Sequence, residues 1–565
     1  MNGYATHSTN GSLIDLETLA NSPILSFDVE SSGFRVGTDV PYGYSITSDP
    51  HSAYYTGIHD SLFGSLLADE SKLKVAHNAK YDRAMLKKAG ITVNNLCDPM
   101  IAAHLLEWQS LSLHILCGSI LHEDVVSFDQ LSKPLEAMSA QELANYTCPH
   151  AEKTLALWYV LEDRLKRLRL LDVFWNIEMP FVPVLSDMEL NGVAVDDDTL
   201  DLLGGEFDRK ITVLNSALDY WSGHPGMNHN SADQVSHLLY EELDLPIGRT
   251  TKSGGRASVD KRYVETLKNK HSYIPMYLFY KELKTLKHSY VDSLRKRIVN
   301  GRVYGSFNQT RTRTSRLSSS DPNLQKIPTR TPIGKRIRTA FIAPRGYKLL
   351  KVDYNQIELR MMAHFSQDPA LLAAFRAGRD IHTETAVRAY KDEKRRREGK
   401  TLNFKLIYLG GTKKEQDMLF QIYPRVKDWS SETALMLREN LFARTLGGRL
   451  RTIGDLGEEK PTKTIEHGVR EGISTMIQGS SAEEVKKGMT RAWKVFNGSD
   501  VKGVLQVHDE EVLQVPENQV NDALEVIWKT YPSEELSLPL TVSVSIGDNW
   551  GQMEEIKEGE KYEYA

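Results

Sequence analysis

Alternation of apolar and polar residues predicts strands at three places along the chain. Residues 24–30 (ILSFDVE) alternate with a period of two, which is typical of a strand with one buried face. Residues 349–353 (LLKVD) form an apolar strand that ends on an acid, ahead of a helix over residues 357–365. Residues 504–515 (VLQVHDEEVLQV) predict two short strands joined by an acidic turn, which is a β-hairpin.

Helical patterns fill much of the remaining sequence. Residues 78–89 and 139–169 predict helices, and together with the first strand they give the amino-terminal part an α/β character. Breaks that contain proline or glycine, over residues 179–183 and 191–192, predict a connection to a second unit, which continues as mainly helical, charged sequence over residues 196–300. At 565 residues the chain is several times longer than a typical domain, so several folded units are expected.

Composition narrows the classes of protein that fit. Apolar residues make up 40% of the chain without a long consecutive apolar run, so we expect no membrane partner. The three cysteines, Cys97, Cys117 and Cys148, are too few for a disulfide framework and lack the spacing of a zinc site. This favours a reducing, cytoplasmic setting.

Charge is distributed unevenly, although the net charge is only −5. Residues 281–351 carry 18 Lys and Arg against 3 Asp and Glu, a local balance of +15. Within them, residues 306–325 (SFNQTRTRTSRLSSSDPNLQ) are rich in side chains that hydrogen-bond to phosphate, sugar and base edges. We therefore expect a nucleic acid as the leading partner, with a solvated basic face as the alternative.

A first group of acids starts on the strand over residues 24–30. Asp28 and Glu30 are two residues apart, so their side chains leave the same face of the strand and are able to share one cation. The motif HNAKYD places Asp82 four residues after Asn78, on one face of a predicted helix, and supplies a third carboxylate. A strand that ends in solvent is the alternative for a lone Asp-x-Glu pair.

A second group of acids combines Asp353 with the predicted hairpin. Asp353 sits at a strand-to-helix junction, and the hairpin turn reads His508, Asp509, Glu510 and Glu511, so we expect three acids at its tip. Clustered carboxylates repel one another and suit Mg²⁺, and two such ions about 4 Å apart stabilise the attacking and leaving oxygens of phosphoryl transfer. A solvated acidic turn is the alternative.

One predicted helix carries a stripe of side chains that fits a nucleotide. Residues 396–408 (RREGKTLNFKLIY) contain two basic and two aromatic side chains, each four residues after the one before: Arg396, Lys400, Phe404 and Tyr408. Cations suit a triphosphate and rings suit base and sugar. An amphipathic helix with both rings in a core is the alternative.

These motifs, taken in this order, resemble those of family A DNA polymerases, the group of bacterial DNA polymerase I and many phage replicases. Residues 353–360 (DYNQIELR) are similar to the first metal motif of the family, 396–408 to its fingers helix, and 506–510 (QVHDE) to its second metal motif. Four further segments support the resemblance: 316–328 (RLSSSDPNLQKIP), 380–386 (DIHTETA), 476–479 (MIQG) and 547–550 (GDNW).

The resemblance implies a multidomain α/β and α+β fold. In this fold an RNase H-like exonuclease domain precedes a right-hand polymerase with palm, fingers and thumb. The implied boundaries are 1–170 for the 3′–5′ exonuclease-like domain, 171–300 for the connection and thumb, 301–365 for the first part of the palm, 366–480 for the fingers, and 481–565 for the second part of the palm.

The resemblance implies template-directed DNA synthesis, with two-metal phosphoryl transfer to a primer 3′ hydroxyl. The catalytic residues are then Asp353 and Asp509, which hold two Mg²⁺ ions, together with Glu510 and Lys400. The implied nucleotide-binding residues are Arg396, Lys400 and His382 at the triphosphate, Phe404 and Tyr408 at the base, and Gln356 and Glu358 at the sugar, where they favour deoxynucleotides. The implied DNA-binding residues are Arg316, Gln478, His508, Asn323 and Gln325.

The resemblance also implies an exonuclease metal site for Mg²⁺ or Mn²⁺. Its ligands are Asp28, Glu30 and Asp82, with Tyr146 beside them, but His150 replaces the family's fourth acidic ligand. Imidazole is a poorer ligand for Mg²⁺ than carboxylate, and Mn²⁺ accepts it more readily. We expect 3′–5′ proofreading that is weak or metal-dependent, with an inactive, structural exonuclease domain as the alternative.

The expected partners are primer-template DNA and deoxynucleoside triphosphates. We expect a monomer that works with replisome helper proteins in the cytoplasm of a bacterial or phage-infected cell. A single-subunit RNA polymerase, which shares the palm acids and a similar fingers helix, is an alternative, and a non-catalytic DNA-binding protein is a third. The chain departs from the family at Ser315, Lys405 and Leu409, where the family usually carries Gly.

Overall fold

Two separate hydrophobic cores organise the computed structural model, which describes residues 5–8, 15–248, 250, 257–329, 331–456 and 460–563. The first core contains buried residues from Leu19 to Val182. The second contains buried residues from Phe181 to Ile556. The two cores therefore meet within a single helix, close to the predicted boundary between the amino-terminal unit and the rest of the chain.

A six-stranded sheet covered by helices forms the amino-terminal unit. Its strands are β1 (Ala5–Ser8), β2 (Ile24–Ser31), β3 (Pro41–Asp49), β4 (Ser52–Gly57), β5 (Leu73–Val75) and β6 (Leu96–Cys97). Its helices are α1 (Leu16–Asn21), α2 (Ser61–Ala68), α3 (Ala79–Lys88), α4 (Pro99–Leu105), α5 (Leu113–Leu116) and α6 (Ala140–Arg167). The strand order is β1-β4-β3-β2-β5-β6, and β2 lies antiparallel to β3 and parallel to β5.

The predicted strand over residues 24–30 is confirmed as β2, and the predicted helix over residues 139–169 is confirmed as α6. Helix α6 packs against β2, β3 and β4, and it begins with a capping box in which Ser139 and Glu142 satisfy each other's backbone N–H groups. This packing brings Tyr146 and His150 on α6 to β2, the strand that holds Asp28 and Glu30.

Helix α3 begins one residue later than the sequence analysis expects. Asn78 is the residue before the helix and has left-handed backbone angles (φ 66°), so it does not share a helical face with Asp82. The buried carboxylate of Asp98 accepts the N–H groups of Asn78 (3.1 Å) and Ala79 (3.0 Å), which fixes the start of the helix.

A helical region follows the amino-terminal unit, and its buried side chains from Leu200 to Leu294 belong to the second core. Its helices are α7 (Leu171–Val173), α8 (Met179–Asn191), α9 (Asp197–Ser222), α10 (Ala232–His237), α11 (Lys261–Thr266), α12 (Tyr273–Thr285) and α13 (Ser293–Arg295). The predicted break over residues 191–192 is confirmed, because α8 ends at Asn191, whereas the one over residues 179–183 is wrong, because α8 continues through Pro183 and has another proline in its first turn. Proline is tolerated there since first-turn N–H groups lack helical acceptors.

An antiparallel five-stranded sheet lies at the centre of the second core. Its strands are β11 (Tyr347–Tyr354), β14 (Lys502–Val507), β15 (Glu510–Pro516), β16 (Val542–Asn549) and β17 (Gln552–Ile556), in the order β14-β15-β11-β16-β17. The shorter strands outside it are β7 (Val193–Ala194), β8 (Arg302–Val303), β9 (Ser306–Asn308), β10 (Ser318–Ser320), β12 (Phe442–Arg444) and β13 (Leu450–Thr452). The predicted strand and hairpin are thus confirmed as β11 and as β14 with β15.

Nine further helices complete the second unit in the part of the chain that the structure describes. They are α14 (Pro332–Lys335), α15 (Ile357–Ser366), α16 (Pro369–Arg376), α17 (Ile381–Tyr390), α18 (Arg396–Ile407), α19 (Lys413–Ile422), α20 (Pro424–Asn440), α21 (Thr462–Phe496) and α22 (Val520–Thr530). Within the described residues, no helix is both long enough and apolar enough to span a bilayer.

A buried group of charges joins the two units. Glu178, in the turn Phe174–Glu178 that leads into α8, accepts hydrogen bonds from Arg449 and from Lys486 (2.7 Å). The amide of Gln309 donates to its other carboxylate oxygen over 2.7 Å, and Lys486 also donates to the hydroxyl of Ser315 (3.1 Å). The network thereby fixes the segment that runs directly into the predicted DNA contact at residue 316.

Candidate active sites

The acids predicted from two distant segments meet on the five-stranded sheet. Asp353 on β11 lies opposite Glu510 on β15, and the N–H of Tyr354 donates to the carbonyl of Asp509 over 3.2 Å. Burial and the charges of Asp509 and Glu510 raise the pKa of Asp353 to about 7, and burial raises the pKa of Asp509. Crowded, partly desolvated carboxylates of this kind fit divalent cations.

The third acid of the hairpin does not belong to this group. Glu511 is buried on the other side of β15, where it accepts a hydrogen bond from the hydroxyl of Tyr531. The prediction of three acids at the hairpin tip is wrong, because successive side chains of a strand face opposite sides of the sheet. Burial raises the pKa of Glu511 to about 8.

Two residues that the sequence analysis missed hold Glu510 in place. The indole N–H of Trp550 donates to one carboxylate oxygen of Glu510 over 2.7 Å, and Arg338 lies 3.9 Å from the same oxygen. The Arg338 guanidinium stacks 3.6 Å from the centre of the Trp550 ring. Trp550 lies in one of the family-like motifs, whereas nothing in the sequence separates Arg338 from the other cations of the basic segment.

Four predicted contact residues form one hydrogen-bonded chain beside the acids. Arg316 donates to one carboxylate oxygen of Glu358, and the hydroxyl of Tyr408 donates to the other over 3.0 Å. The amide of Gln478 donates to that hydroxyl over 3.1 Å. The charge of Arg316 opposes the rise in the pKa of Asp509, so the chain lies within electrostatic reach of the carboxylates. Gln356 immediately precedes α15 with left-handed backbone angles (φ 53°).

The predicted nucleotide stripe lies on the exposed side of α18. Phe404 and Tyr408 are 47% and 37% exposed, so the alternative that both rings belong to a core is wrong. Arg396 pairs with both carboxylate oxygens of Asp380, over 2.7 Å and 3.1 Å. The sequence analysis did not assign this role to Asp380, which holds the cationic end of the stripe in place. Lys400 lies 5.9 Å from the centre of the Phe404 ring.

His382 lies within electrostatic reach of Arg396 and Lys400. Burial lowers its pKa to about 4, and the charges of Arg396 and Lys400 contribute to that shift. The amide of Asn403 donates to Nδ1 of the imidazole over 2.9 Å, so the proton of the neutral ring lies on Nε2. His382 therefore offers a neutral N–H donor next to two cations, which fits a phosphate oxygen.

The remaining predicted DNA contacts lie near a cleft of about 840 Å³ between α12 and the acids. Its lining includes Gln325 and His508, together with cations of the basic segment such as Lys281 and Lys326. The amide of Gln325 donates over 2.8 Å to Gln506, whose own amide donates over 2.5 Å to the carbonyl of His508. Asn323 precedes the short turn Leu324–Lys326. The cleft thus combines positive charge with hydrogen-bonding groups.

The amino-terminal unit holds the other predicted carboxylate group. Asp28, Glu30 and His150 each offer a ligand atom, and these atoms all lie within 4.8 Å of one another. Burial and the charge of Asp28 raise the pKa of Glu30 to about 8, and burial with neighbouring carboxylates raises that of Asp82 well above its ordinary range. Among the described residues, Asp82 has one buried carboxylate oxygen without a hydrogen-bond partner. Asp28, Glu30 and His150 therefore fit a divalent cation, whereas the predicted ligand Asp82 is not part of that close group of ligand atoms.

His150 points one nitrogen at this group and anchors the other. Its Nε2 lies 2.9 Å from the carbonyl of Val126 and donates to it, while its Nδ1 lies 3.4 Å from Asp28. In the neutral imidazole, Nδ1 then keeps the lone pair that a metal ligand needs. The Tyr146 ring packs edge-on against His150, with 4.6 Å between ring centres, and the hydroxyl of Thr147 donates to Asp28 over 3.1 Å.

An exposed aromatic pair that was not predicted from the sequence lies near this site. Phe34 and Phe128 are both exposed, and their ring centres lie 5.2 Å apart in an edge-to-face contact. Phe34 follows the strand that carries Asp28, and Phe128 lies two residues after the carbonyl that anchors His150. Exposed rings of this kind are stacking platforms for the bases of a single strand. No periodic pattern in the sequence marks them.

Comparison with known proteins separates the chain into the same two units. The sequence profile described as DNA polymerase family A matches residues 197–552, which is more than half of the chain. The chain belongs to DNA polymerase family A. A second profile, described as a 3′–5′ exonuclease, matches residues 11–166. The predicted family and the predicted order of an exonuclease domain before a family A polymerase domain are therefore confirmed.

Several family A relatives resemble the chain over most of its length. A thermostable DNA polymerase I from Thermus filiformis is 36% identical in an alignment 493 positions long, which covers 82% of this chain and 56% of that relative. DNA polymerase I from Chloroflexus aurantiacus is 32% identical in an alignment 592 positions long, which covers 96% of this chain and 62% of that relative. The chain thus spans less than two thirds of the length of these relatives.

One solved structure shares the fold of almost the whole chain. The POL domain of Pol1 from M. smegmatis, in complex with DNA primer-template and dNTP, has a TM-score of 0.86 and 27% sequence identity. The match covers 96% of this chain and 99% of that domain.

Proposed function

We propose that the chain is a template-directed DNA polymerase that adds deoxynucleotides to a primer 3′ hydroxyl. The observation that carries the proposal is the register of the central sheet, which sets Asp353 opposite Glu510 and beside Asp509. The hydrogen-bonded chain through Glu358 and Tyr408 includes Arg316, whose charge reaches Asp509. Membership of family A and the match to a DNA-bound Pol1 domain support the same reaction.

The residues of the site divide the chemistry between them. Asp353 and Asp509 hold two Mg²⁺ ions, which when bound stabilise the attacking and leaving oxygens of phosphoryl transfer. Arg396, Lys400 and His382 bind the triphosphate and offset the negative charge that develops on it. This division follows from the oxygen-only ligand set of the first group and the cationic character of the second.

The proposal includes a division of the chain into working parts and a set of partners. We propose an exonuclease-like domain over 1–170, a connection and thumb over 171–300, a palm over 301–365 and 481–565, and fingers over 366–480. Primer-template DNA lies in the cleft near Gln325 and His508, and the protein acts as a monomer. Replisome helper proteins and the cytoplasmic setting stay predictions from the sequence.

A primer-extension assay tests the polymerase proposal. The wild-type protein should extend a primed template with deoxynucleoside triphosphates in Mg²⁺ and should follow the template sequence. Preferential extension with ribonucleotides would instead support the RNA polymerase alternative. Duplex binding without any extension would support the non-catalytic alternative.

Replacing Glu358 with Ala should weaken discrimination against ribonucleotides. Hydrogen bonds from Arg316 and Tyr408 hold the Glu358 carboxylate in place, so a ribose 2′ hydroxyl beside it would clash with the side chain. Removal of the carboxylate should raise ribonucleotide incorporation relative to deoxynucleotide incorporation by about tenfold or more. Single-nucleotide extension gives the ratio directly, and Glu439→Ala on the exposed side of α20 is the matched control. An unchanged ratio in Glu358→Ala would contradict the assignment.

We propose that the amino-terminal unit is a metal-dependent 3′–5′ exonuclease in which His150 takes the place of an acidic ligand. The close grouping of Asp28, Glu30 and His150 supports this assignment, as does the exonuclease profile over residues 11–166. Nδ1 of His150 faces Asp28 and suits Mn²⁺ better than Mg²⁺. Phe34 and Phe128 would stack on the bases of the primer end.

Replacing His150 with Asp should increase excision of a mismatched primer end in Mg²⁺ by about tenfold, since a carboxylate binds Mg²⁺ better than imidazole. The gain should be smaller in Mn²⁺, and Asp82→Asn should lower excision in both metals. Degradation of a labelled mismatched primer without nucleotides measures all three effects. If the wild-type protein excises the mismatch in Mg²⁺ as fast as His150→Asp does, His150 does not limit the exonuclease activity. No wild-type excision in either metal would support the inactive-domain alternative.

A further inference from the structure

A strained turn directly follows Tyr408 at the end of α18. Leu409 has left-handed backbone angles (φ 46°), which residues other than glycine adopt only with strain. The turn closes the helix, because the N–H of Gly410 donates to the carbonyl of Lys405 over 2.8 Å and the N–H of Leu409 donates to that of Leu406 over 3.2 Å. A leucine persists in such a position only where its surroundings hold it.

Two side chains from the start of α19 hold this turn. Glu415 pairs with Lys405 through a 2.6 Å contact between Oε1 and Nζ. The amide of Gln416 donates to the carbonyl of Leu409 over 3.0 Å. The other carboxylate oxygen of Glu415 accepts the N–H of Thr412 over 2.8 Å, so the same residue caps α19 and ties it back to α18.

The Lys405 side chain fits closely over the turn. Gly411 has left-handed angles (φ 94°), and a Cβ there would lie 3.1 Å from Cδ of Lys405. The side chains of Lys405 and Glu415 remain 32% and 29% exposed, so salt in solution reaches the ion pair. The ion pair therefore lies at the surface, and the salt concentration of the solution can be used to vary its strength.

The turn fixes the position of Tyr408. Its hydroxyl bonds to Glu358 (3.0 Å) and Gln478 (3.1 Å), and its backbone lies between Lys405 and the strained Leu409. Any release of the turn therefore frees the aromatic ring that closes one side of the predicted sugar pocket.

We propose that Lys405 and Glu415 are positioning residues that set the nucleotide selectivity of the polymerase site by holding Tyr408 against Glu358. The inference rests on the proposed polymerase function. It assigns a functional role to an ion pair whose two members lie outside every predicted contact with metal, nucleotide or DNA.

The test combines Lys405→Gln, Glu415→Gln and the double variant. Glutamine at residue 415 keeps an oxygen that can accept the Thr412 N–H, so the start of α19 is retained while the ion pair is lost. Lys405→Arg preserves the charge and serves as the conservative rescue. Lys413→Gln, at an exposed lysine in the first turn of α19, is the matched control.

Single-nucleotide extension should show altered selectivity with little loss of the correct reaction. The kcat/KM for the correct deoxynucleotide should stay within about twofold of wild type, while relative ribonucleotide incorporation should rise about two- to fivefold in each single variant. The double variant should show no further rise, because both changes break one link. High salt should move wild type toward the variants, and Lys405→Arg should keep wild-type selectivity.

Two results would overturn this inference: unchanged selectivity in both single variants, or effects that add in the double variant. Either result is distinguishable from failure of the proposed function, because wild-type extension of the primer with correct deoxynucleotides is measured in the same assay.

Discussion

Asp509→Asn should lower the rate of primer extension by at least about 10³-fold, because it removes one of the two carboxylates proposed to hold both catalytic metal ions. The loss should appear in kcat, since Asp509→Asn leaves unchanged Arg396, Lys400 and the neutral His382, which are proposed to bind the triphosphate. Asp353→Asn should behave in the same way, because the two acids act as one unit. Single-turnover extension of a primed template measures the effect.

The fold should survive this substitution, and this separates a chemical loss from a structural one. Burial raises the pKa of Asp509, and its charge in turn raises that of Asp353, so neutralising one acid relieves repulsion rather than removing a stabilising contact. The melting temperature should therefore stay unchanged or rise. Asp500→Asn, at an exposed position before β14, is the matched control and should retain wild-type extension. Near-normal extension by Asp509→Asn would contradict the assigned site.

The central acids were predictable because their strands carry strong local patterns. The apolar run before Asp353 and the two runs around residues 508–509 each specify a strand, and a short acidic turn between two strands leaves only a hairpin. The same period of two places consecutive residues of a strand on opposite faces of the sheet. The sequence pattern alone therefore predicts that Glu511 faces away from Glu510.

Other features depend on contacts that local patterns do not encode. Glu178 and Lys486 are 308 residues apart in sequence, and neither lies in a motif, so only the packed structure brings them together. The link between Lys405 and Glu415 spans ten residues, but it depends on the direction in which α19 leaves the turn. The position of His150 on a helix was predictable from local pattern, whereas the hydrogen bond to Val126 that orients its Nδ1 comes from a separate loop.

The buried charges between the two units matter because they are balanced. Arg449 and Lys486 both donate to Glu178, and Arg449 also lies 3.8 Å from the carboxylate of Glu483. All four side chains are almost fully buried. Breaking a buried pair by removing one partner leaves an uncompensated charge in a region of low dielectric constant. The network should therefore contribute far more to stability than an ion pair on the surface.

Glu178→Gln should lower the free energy of unfolding by about 3–5 kcal/mol at neutral pH, because two buried cations lose their shared acceptor. Although burial raises its pKa, Lys486 and Arg449 bring the pKa of Glu178 down to about 2 from an ordinary 4.5. Its stabilising effect is therefore complete above about pH 4.5 and is lost as the pH falls toward 2, and the variant should lack this part of the pH dependence. Urea unfolding at several pH values measures both effects.

Asp163→Asn, which breaks an exposed ion pair with Arg167, is the control and should lower the free energy of unfolding by less than about 1 kcal/mol. Equal losses in the two variants would show that the network does not hold the units together.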